Sequence, residues 1–453
     1  MEKNLTTGSI FKNVIIFSLP YLLSYLLQTL YGMADLYIVG QFDSVASTTA
    51  VSIVSQVMHM LTVMIVGLSM GATVFIGQSI GGNDKSKAAL GIGNTITLFT
   101  SVSVGLTVLL IVLVKPITYV MATPEDAVSG TIKYLTICFI GIPFITAYNV
   151  ISAIFRGMGD SKSPMYFIAI ACAANIGLDF LFMGAFSMGP SGAALGTTIS
   201  QAISVIVSLV VILKRKTWIK LMKTSFKPDR PVTGQILKIG VPVALQDGLI
   251  QVAFIVITII ANKRGLNDSA AVGIVEKIMS FLFLVPSSML STVSALGAQN
   301  IGAKKPERAI ATLRYAVMLA VGFGIVVSIV IQFVAEPLVS LFTDASDING
   351  AEVVRLGGQY LRGYVWDCIF AGVHFCFSGY FCAIGKSLLS FVHNIVAILL
   401  VRIPGVYMMS QMYPNTLLPM GLATASGSIV SVVICVVSFL IISRQTKTTK
   451  ENS

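Results

Sequence analysis

Apolar residues along this chain neither alternate with polar ones nor recur only at helical spacing; they run on. Thr95 to Val114 and Ile429 to Ile442 are apolar all round, as expected of helices whose whole circumference meets hydrocarbon. A spanning β-barrel would instead read as alternating segments of about ten residues with a polar inner face, and the sequence has none. Windows of about twenty residues place twelve helices, near 14–40, 51–79, 90–114, 131–155, 165–187, 192–214, 236–261, 270–299, 309–335, 353–382, 387–410 and 419–443. Several outrun the bilayer, which implies tilt, kinks or extensions into water.

Composition agrees. Of 453 residues, 55% are hydrophobic and 11% charged, against roughly 25% charged in a soluble domain. Backbone amides in hydrocarbon must pair within their own segment, so the fold class is an all-α integral membrane protein. Lys3 and Lys12 precede an apolar run in the manner of a secretory leader. That run continues past Pro20 to Gly40 and reads as the first spanning helix.

Charge sets the topology. With both termini in the cytoplasm, 22 of the 30 Lys and Arg fall on the inner side and 6 on the outer, leaving Lys277 and Arg402 within spans. The richest inner stretch is Lys214 to Arg230, so the net charge of +11 reports orientation and contact with anionic lipid. It does not call for nucleic acid. The expected localisation is the plasma membrane.

That basic stretch also divides the chain into an amino-terminal lobe (1–214), a linker (215–233) and a carboxy-terminal lobe (234–453). Aligned without a gap, Ala50–Gly81 and Ala271–Gly302 share nine identities in 32 positions, ending in Gln78-Ser-Ile-Gly81 against Gln299-Asn-Ile-Gly302. Lys87-Ala88 and Arg308-Ala309 follow at the same offset of 221. Six helices separate equivalent positions, and an even number puts both halves into the membrane from the same side. A duplication related by an axis along the membrane normal is therefore expected, with substrate between the halves.

Five acids fall within the spans: Asp35, Asp179, Asp247, Glu276 and Asp367. Each costs roughly 2.5 to 3.5 kcal/mol at a helix centre on insertion scales, so they should face a cavity, pair with Lys277 or Arg402, or lie at helix ends. The acidic excess suits cations. Gln28, Tyr31 and Asp35 recur at spacings of three and four and so share a face of the first helix, which Pro20 can kink. Asn175 and Asp179 repeat the i, i+4 spacing in the fifth helix, with Thr197 and Thr198 available from the sixth. Such oxygens can hold a hard cation such as Na⁺; a carboxylate taken out of water can equally hold a proton. In the other half Asp367 and His374 are seven residues apart on one face, near Trp366 and Phe370, and Glu276 stands where the first half has Ser55. The same residues also read as packing residues: His374 as a core histidine, Trp366 as lipid-facing, Glu276 as a neighbour neutralising Lys277. The six cysteines and three histidines show no metal-ligand or disulfide spacing, and the glycine clusters at Gly77–Gly82 and Arg156–Lys162 lack the strand and Lys-Ser/Thr ending of a phosphate loop. No cofactor and no enzymatic activity is expected.

The sequence resembles the multidrug and toxic compound extrusion family across roughly residues 10 to 443. The carrying motifs are Pro20 through Tyr31-Gly-Met-Ala-Asp35, Val39-Gly40-Gln41, Gly77-Gln78-Ser-Ile-Gly81, Phe155-Arg156-Gly157-Met-Gly159-Asp160-Ser-Lys162-Ser-Pro164, Asn175-Ile-Gly-Leu-Asp179 and Gly297-Ala-Gln-Asn-Ile-Gly302-Ala. The resemblance implies twelve helices in two lobes and export of organic, often cationic or amphipathic compounds against inward H⁺ or Na⁺, by a protein expected to act as a monomer. It implies a coupling-ion site at Asp35, Asn175 and Asp179, lined by Tyr31 and Thr197. Gln28, Glu276, Asp367, Trp366 and His374 become candidates for the substrate cleft, and Pro20 for a hinge. The alternative is a flippase for lipid-linked saccharides from the same superfamily, which would want a basic cavity.

Overall fold

The computed structural model describes residues 5–214, 219, 221–343 and 349–451. Lys3 and, within the basic linker, 215–218 and 220 lie outside the described residues. Every regular element among the described residues is helical: α1 (Ile10–Phe42), α2 (Val45–Gly81), α3 (Lys85–Val120), α4 (Glu125–Ile140), α5 (Ile142–Gly157), α6 (Lys162–Asp179) with a π-helical run Phe180–Ala185, α7 (Pro190–Lys214), a short 3₁₀ turn Lys223–Phe226, then α8 (Arg230–Asn262), α9 (Leu266–Leu282), α10 (Leu284–Gly302), α11 (Pro306–Ser340), α12 (Gly350–Tyr364), α13 (Asp367–Ala383), α14 (Leu388–Ala397) with a second π-helical run Ile398–Arg402, α15 (Ile403–Met412) and α16 (Leu418–Glu451).

Ten of the resulting spans are long and apolar enough to cross a bilayer, and two more are bent pairs, α4 with α5 (45°) and α12 with α13 (42°). Twelve spans is the number the apolar runs predict. The first bend falls at Gly141, where α5 opens with a proline in its first turn, a residue with no N–H to donate to the turn before it. α1, by contrast, runs unbroken through Pro20, and Ser24 Oγ donates to the Pro20 carbonyl at 2.8 Å. Large apolar side chains such as Val112 and Phe333 stand more than 70% exposed; water would penalise this, and acyl chains would cover it.

The described residues form two compact units. The first comprises Met1–Gly8, Ile15–Ala244 and Ala298–Lys305; the second comprises Ser9–Val14, Leu245–Gly297 and Pro306–Ser453. Phe75, Phe99, Phe155 and Phe167 build one core of the first unit, and Ile38, Val54, Leu135 and Phe139 another. In the second unit Val275, Ile331, Tyr360 and Tyr364 are completely or almost completely buried together.

The repeat read from sequence has a backbone counterpart. Asn83 and Lys304, 221 residues apart, both adopt the left-handed region (φ 56° and 58°) in the turns that follow α2 and α10. Within the first unit the two copies of the tetrapeptide meet. A Cβ at Gly81 would collide with the Gln299 backbone, and a Cβ at Gly302 with the Gln78 backbone, so only glycine permits this approach. Gln299 Nε2 donates to the Gly157 carbonyl at 2.9 Å.

Candidate functional site

In the first unit, Asp35 from α1, Asn175 and Asp179 from α6 and Thr197 from α7 come together, although 162 residues separate Asp35 from Thr197. Asp35 is 3% exposed, Asn175 and Asp179 not at all. Thr197 Oγ1 donates to Asp35 Oδ2 at 3.2 Å, and the Asp35 carboxylate faces the side chains of Asp179 and Asn175. Tyr31, one turn before Asp35, brings its hydroxyl beside Thr197 and Ser200. Gln28 stays half-buried a turn earlier.

Local sequence explains the placement. Between its first turn, which carries Lys162 and Ser163, and Asn175, α6 is mostly apolar, Asn175 and Asp179 are buried, and the π-helical run after Asp179 widens the helix where the carboxylate faces α7. Single-turn π segments inside α-helices recur at functional sites. α7 approaches closely because residue 196 is glycine: a Cβ there would strike Asp179 Oδ1. Sequence reasoning missed Gly196, and it missed Tyr134 and Cys138 of α4, which stand beside Asp35. The i, i+4 spacing of Tyr134 and Cys138 was the available signal.

What distinguishes this cluster is unspent acceptor capacity. Asp35 Oδ1, both Asp179 oxygens, Asn175 Oδ1 and the Tyr31 hydroxyl are buried, and none has a hydrogen-bond partner among the described residues. Leaving such atoms bare costs on the order of 1–3 kcal/mol each, more when charged. Two carboxylates, an amide oxygen and a hydroxyl form a hard-oxygen set that a Na⁺ ion or a shared proton would satisfy. No Lys or Arg forms an ion pair with them among the described residues.

The second unit handles its acid differently. Asp367, fully buried, opens α13 immediately after the bend, and Arg402 closes the second π-helical run. Arg402 Nη2 donates to Asp367 Oδ2 at 2.7 Å and to Ser428 Oγ at 3.0 Å. A Cβ at Gly427 of α16 would press on the Arg402 side chain. Of the two bases within spans, Arg402 thus pairs with an acid. Lys277 is exposed, and Glu276 takes its hydrogen bond from Thr258 (3.1 Å), with Oε1 left bare. Tyr360 and Tyr364 are within electrostatic reach of both Glu276 and the Asp367–Arg402 pair.

The remaining candidates scatter. His374 is buried against Phe375 and His393, 5.4 Å between the histidine ring centroids. His393 is held by Ser378 (2.8 Å) and Ser431 (3.2 Å). Trp366 is 38% exposed and turned away from its buried neighbour Asp367. Asp247 is half-buried in α8.

A family model, MatE, matches residues 20–181 and 242–408, one stretch in each half of the chain. The chain is 28% identical over 410 residues to "Probable multidrug resistance protein YoeA" of Bacillus subtilis (strain 168), covering 89% of this chain and 88% of the relative. It is 25% identical over 380 residues to "Multidrug export protein MepA" of Staphylococcus aureus (strain MSSA476), covering 83% and 82%. The fold is similar to that in "Crystal structure of MATE in complex with MaL6", with a TM-score of 0.89 at 22% identity over 99% of this chain and 98% of that one.

Proposed function

The chain belongs to the MatE family of multidrug efflux transporters, and from that premise we propose that it is a cation-coupled antiporter of small organic, often cationic or amphipathic compounds. The two six-helix halves, 1–214 and 234–453 with the linker 215–233, act as the lobes of an alternating-access carrier in the plasma membrane. Both termini lie in the cytoplasm, and the carrier works as a monomer.

One observation carries the reading: a buried pair of acids, Asp35 and Asp179, of whose four oxygens only Asp35 Oδ2 has a hydrogen-bond partner, and which no Lys or Arg pairs with among the described residues. Such a pair is stable only when an external positive charge enters. An inward-moving H⁺ or Na⁺ taken by Asp35, Asp179 and Asn175, with Tyr31 and Thr197 orienting the first carboxylate, converts a costly site into a satisfied one. The free energy of that binding is then available to shift α1 about its bendable stretch at Pro20 and to lower the affinity for substrate, since both ligands favour different states of the same element. Among the substrate-cleft candidates Gln28, Glu276, Asp367, Trp366 and His374, Glu276 is the acid best able to attract an organic cation, because its second oxygen is unpaired while Asp367 is held by Arg402.

A flippase of anionic saccharide carriers would want a free buried base. Arg402 is the one Lys or Arg among the buried described residues, and Asp367 already occupies it.

The test is purified protein in liposomes, loaded with a panel of organic cations and challenged with Na⁺ and proton gradients imposed separately. Efflux should follow one or both gradients. Substrate flux indifferent to either gradient would sink the antiport reading.

A further inference from the structure

Residues 221–230, ahead of and into the start of α8, are docked on α3. Asn94 of α3, 1% exposed, donates through Nδ2 to the Ser225 carbonyl (3.3 Å) and accepts at Oδ1 the Asp229 amide (2.7 Å) and the Thr233 hydroxyl (3.3 Å). Thr97 Oγ1 donates to the Phe226 carbonyl at 2.9 Å. A buried asparagine spending both ends of its amide on another segment fixes that segment's register. With Ser225 turned inward, the outward side carries Leu221, Met222 (63% exposed) and Phe226, interleaved with exposed Lys223 and Lys227 and followed by Arg230. The one acid in the stretch, Asp229, is half-buried and spends Oδ1 on the Val232 amide at 3.0 Å.

Depth follows from α3. Its docking residues lie nine to twelve positions beyond Lys85, about 14–18 Å along the axis. The helix has 36 residues, about 54 Å, against a hydrocarbon core of about 30 Å. If the excess is shared between the ends, the docked stretch falls at the boundary of headgroups and acyl chains. That boundary is the one environment that suits exposed Leu, Met and Phe together with lysine: the apolar groups enter the chains while the ammonium groups reach back to phosphates.

We propose that residues 221–230 form a binding surface for anionic phospholipid of the inner leaflet, held in place on α3 by Asn94. The proposal rests on the cytoplasmic placement of the linker. Nanodiscs expose both faces of the protein, so lipid binding there is read independently of sidedness, and sidedness is read separately by labelling the same position in intact cells.

Met222→Cys carries an environment-sensitive fluorophore; the six native cysteines are all buried, and the unsubstituted protein corrects for any background. In mixed nanodiscs the brominated chains are placed either on phosphatidylglycerol or on phosphatidylcholine. Quenching should be stronger with brominated phosphatidylglycerol at equal mole fraction. In Lys223→Gln/Lys227→Gln/Arg230→Gln the preference should fall by up to about fivefold per base, the factor corresponding to ~1 kcal/mol for each Lys or Arg near an anionic surface. Equal quenching by the two lipids, a preference untouched by the surface triple variant, or no quenching at all would each overturn the proposal.

Discussion

Asp179 stands just before one π-helical run and Arg402 ends the other, and each is seated against a glycine of the last helix in its half, Gly196 or Gly427. The backbone devices agree and the charges are opposite. In the amino-terminal half the buried acids, Asp35 and Asp179, form no ion pair among the described residues; in the carboxy-terminal half Asp367 is closed off by a guanidinium from its own fold. The comparison separates two ways of burying a carboxylate: under the proposed antiport the first cluster offers its unpaired oxygens to an incoming cation, whereas Asp367 meets its cation within the fold.

The largest effect should come from replacing a carboxylate of the amino-terminal cluster with its amide. Asp35→Asn or Asp179→Asn should reduce gradient-driven efflux in proteoliposomes to the level of protein-free vesicles while leaving the amount of membrane-inserted protein unchanged, because the acid removed forms no ion pair among the described residues. Full transport by either variant would break the contrast between the halves. Next in size is Arg402→Met, which strands Asp367 and should destabilise the protein by about 3–5 kcal/mol, read as a lowered unfolding midpoint in detergent. Adding Asp367→Asn should recover most of the loss. If Arg402→Met alone is harmless, the pair is not structural.

Smaller again is Gly196→Ala, whose methyl group meets Asp179; overpacking of this kind costs about 1–3 kcal/mol, and here it should also slow coupled transport more than uncoupled substrate binding. Transport kinetics alongside thermal melts distinguish this from simple unfolding. At the bottom of the scale, Lys277→Gln should stay within about ±0.5 kcal/mol of the parent, since the exposed lysine neutralises nothing. A clear drop would mean that Glu276 depends on it after all.

The number of spans, the helical class and the repeat were legible because each is written in many residues at once: twenty apolar positions per helix, and nine identities carrying one offset. Asp35, Asn175 and Asp179 were legible because i, i+4 spacing reports a shared face and acids in apolar runs are expensive. The Asp367–Arg402 bond was not. Which of two bases an acid 35 residues away will meet depends on how α13, α15 and α16 are rotated about their axes, and the bend at Trp366 and the π-helical run at 398–402 set that rotation without marking the hydrophobic pattern. Gly196 was hidden for a related reason: one glycine among several small residues says nothing about whose carboxylate lies opposite. Trp366, read as a neighbour of Asp367, is adjacent in sequence but exposed where Asp367 is buried, because adjacency along a helical stretch, at about 100° per residue, does not give a shared face.

The crossed contacts at Gly81–Gln299 and Gly302–Gln78 are reciprocal: each copy of the tetrapeptide offers its glycine to the other's glutamine. That is the self-complementary pattern by which two identical subunits meet across a two-fold axis. One such tetrapeptide carries both sides of the contact, the glycine and the backbone it admits, so a side chain placed at either glycine would spoil one of two equivalent contacts and leave the other intact.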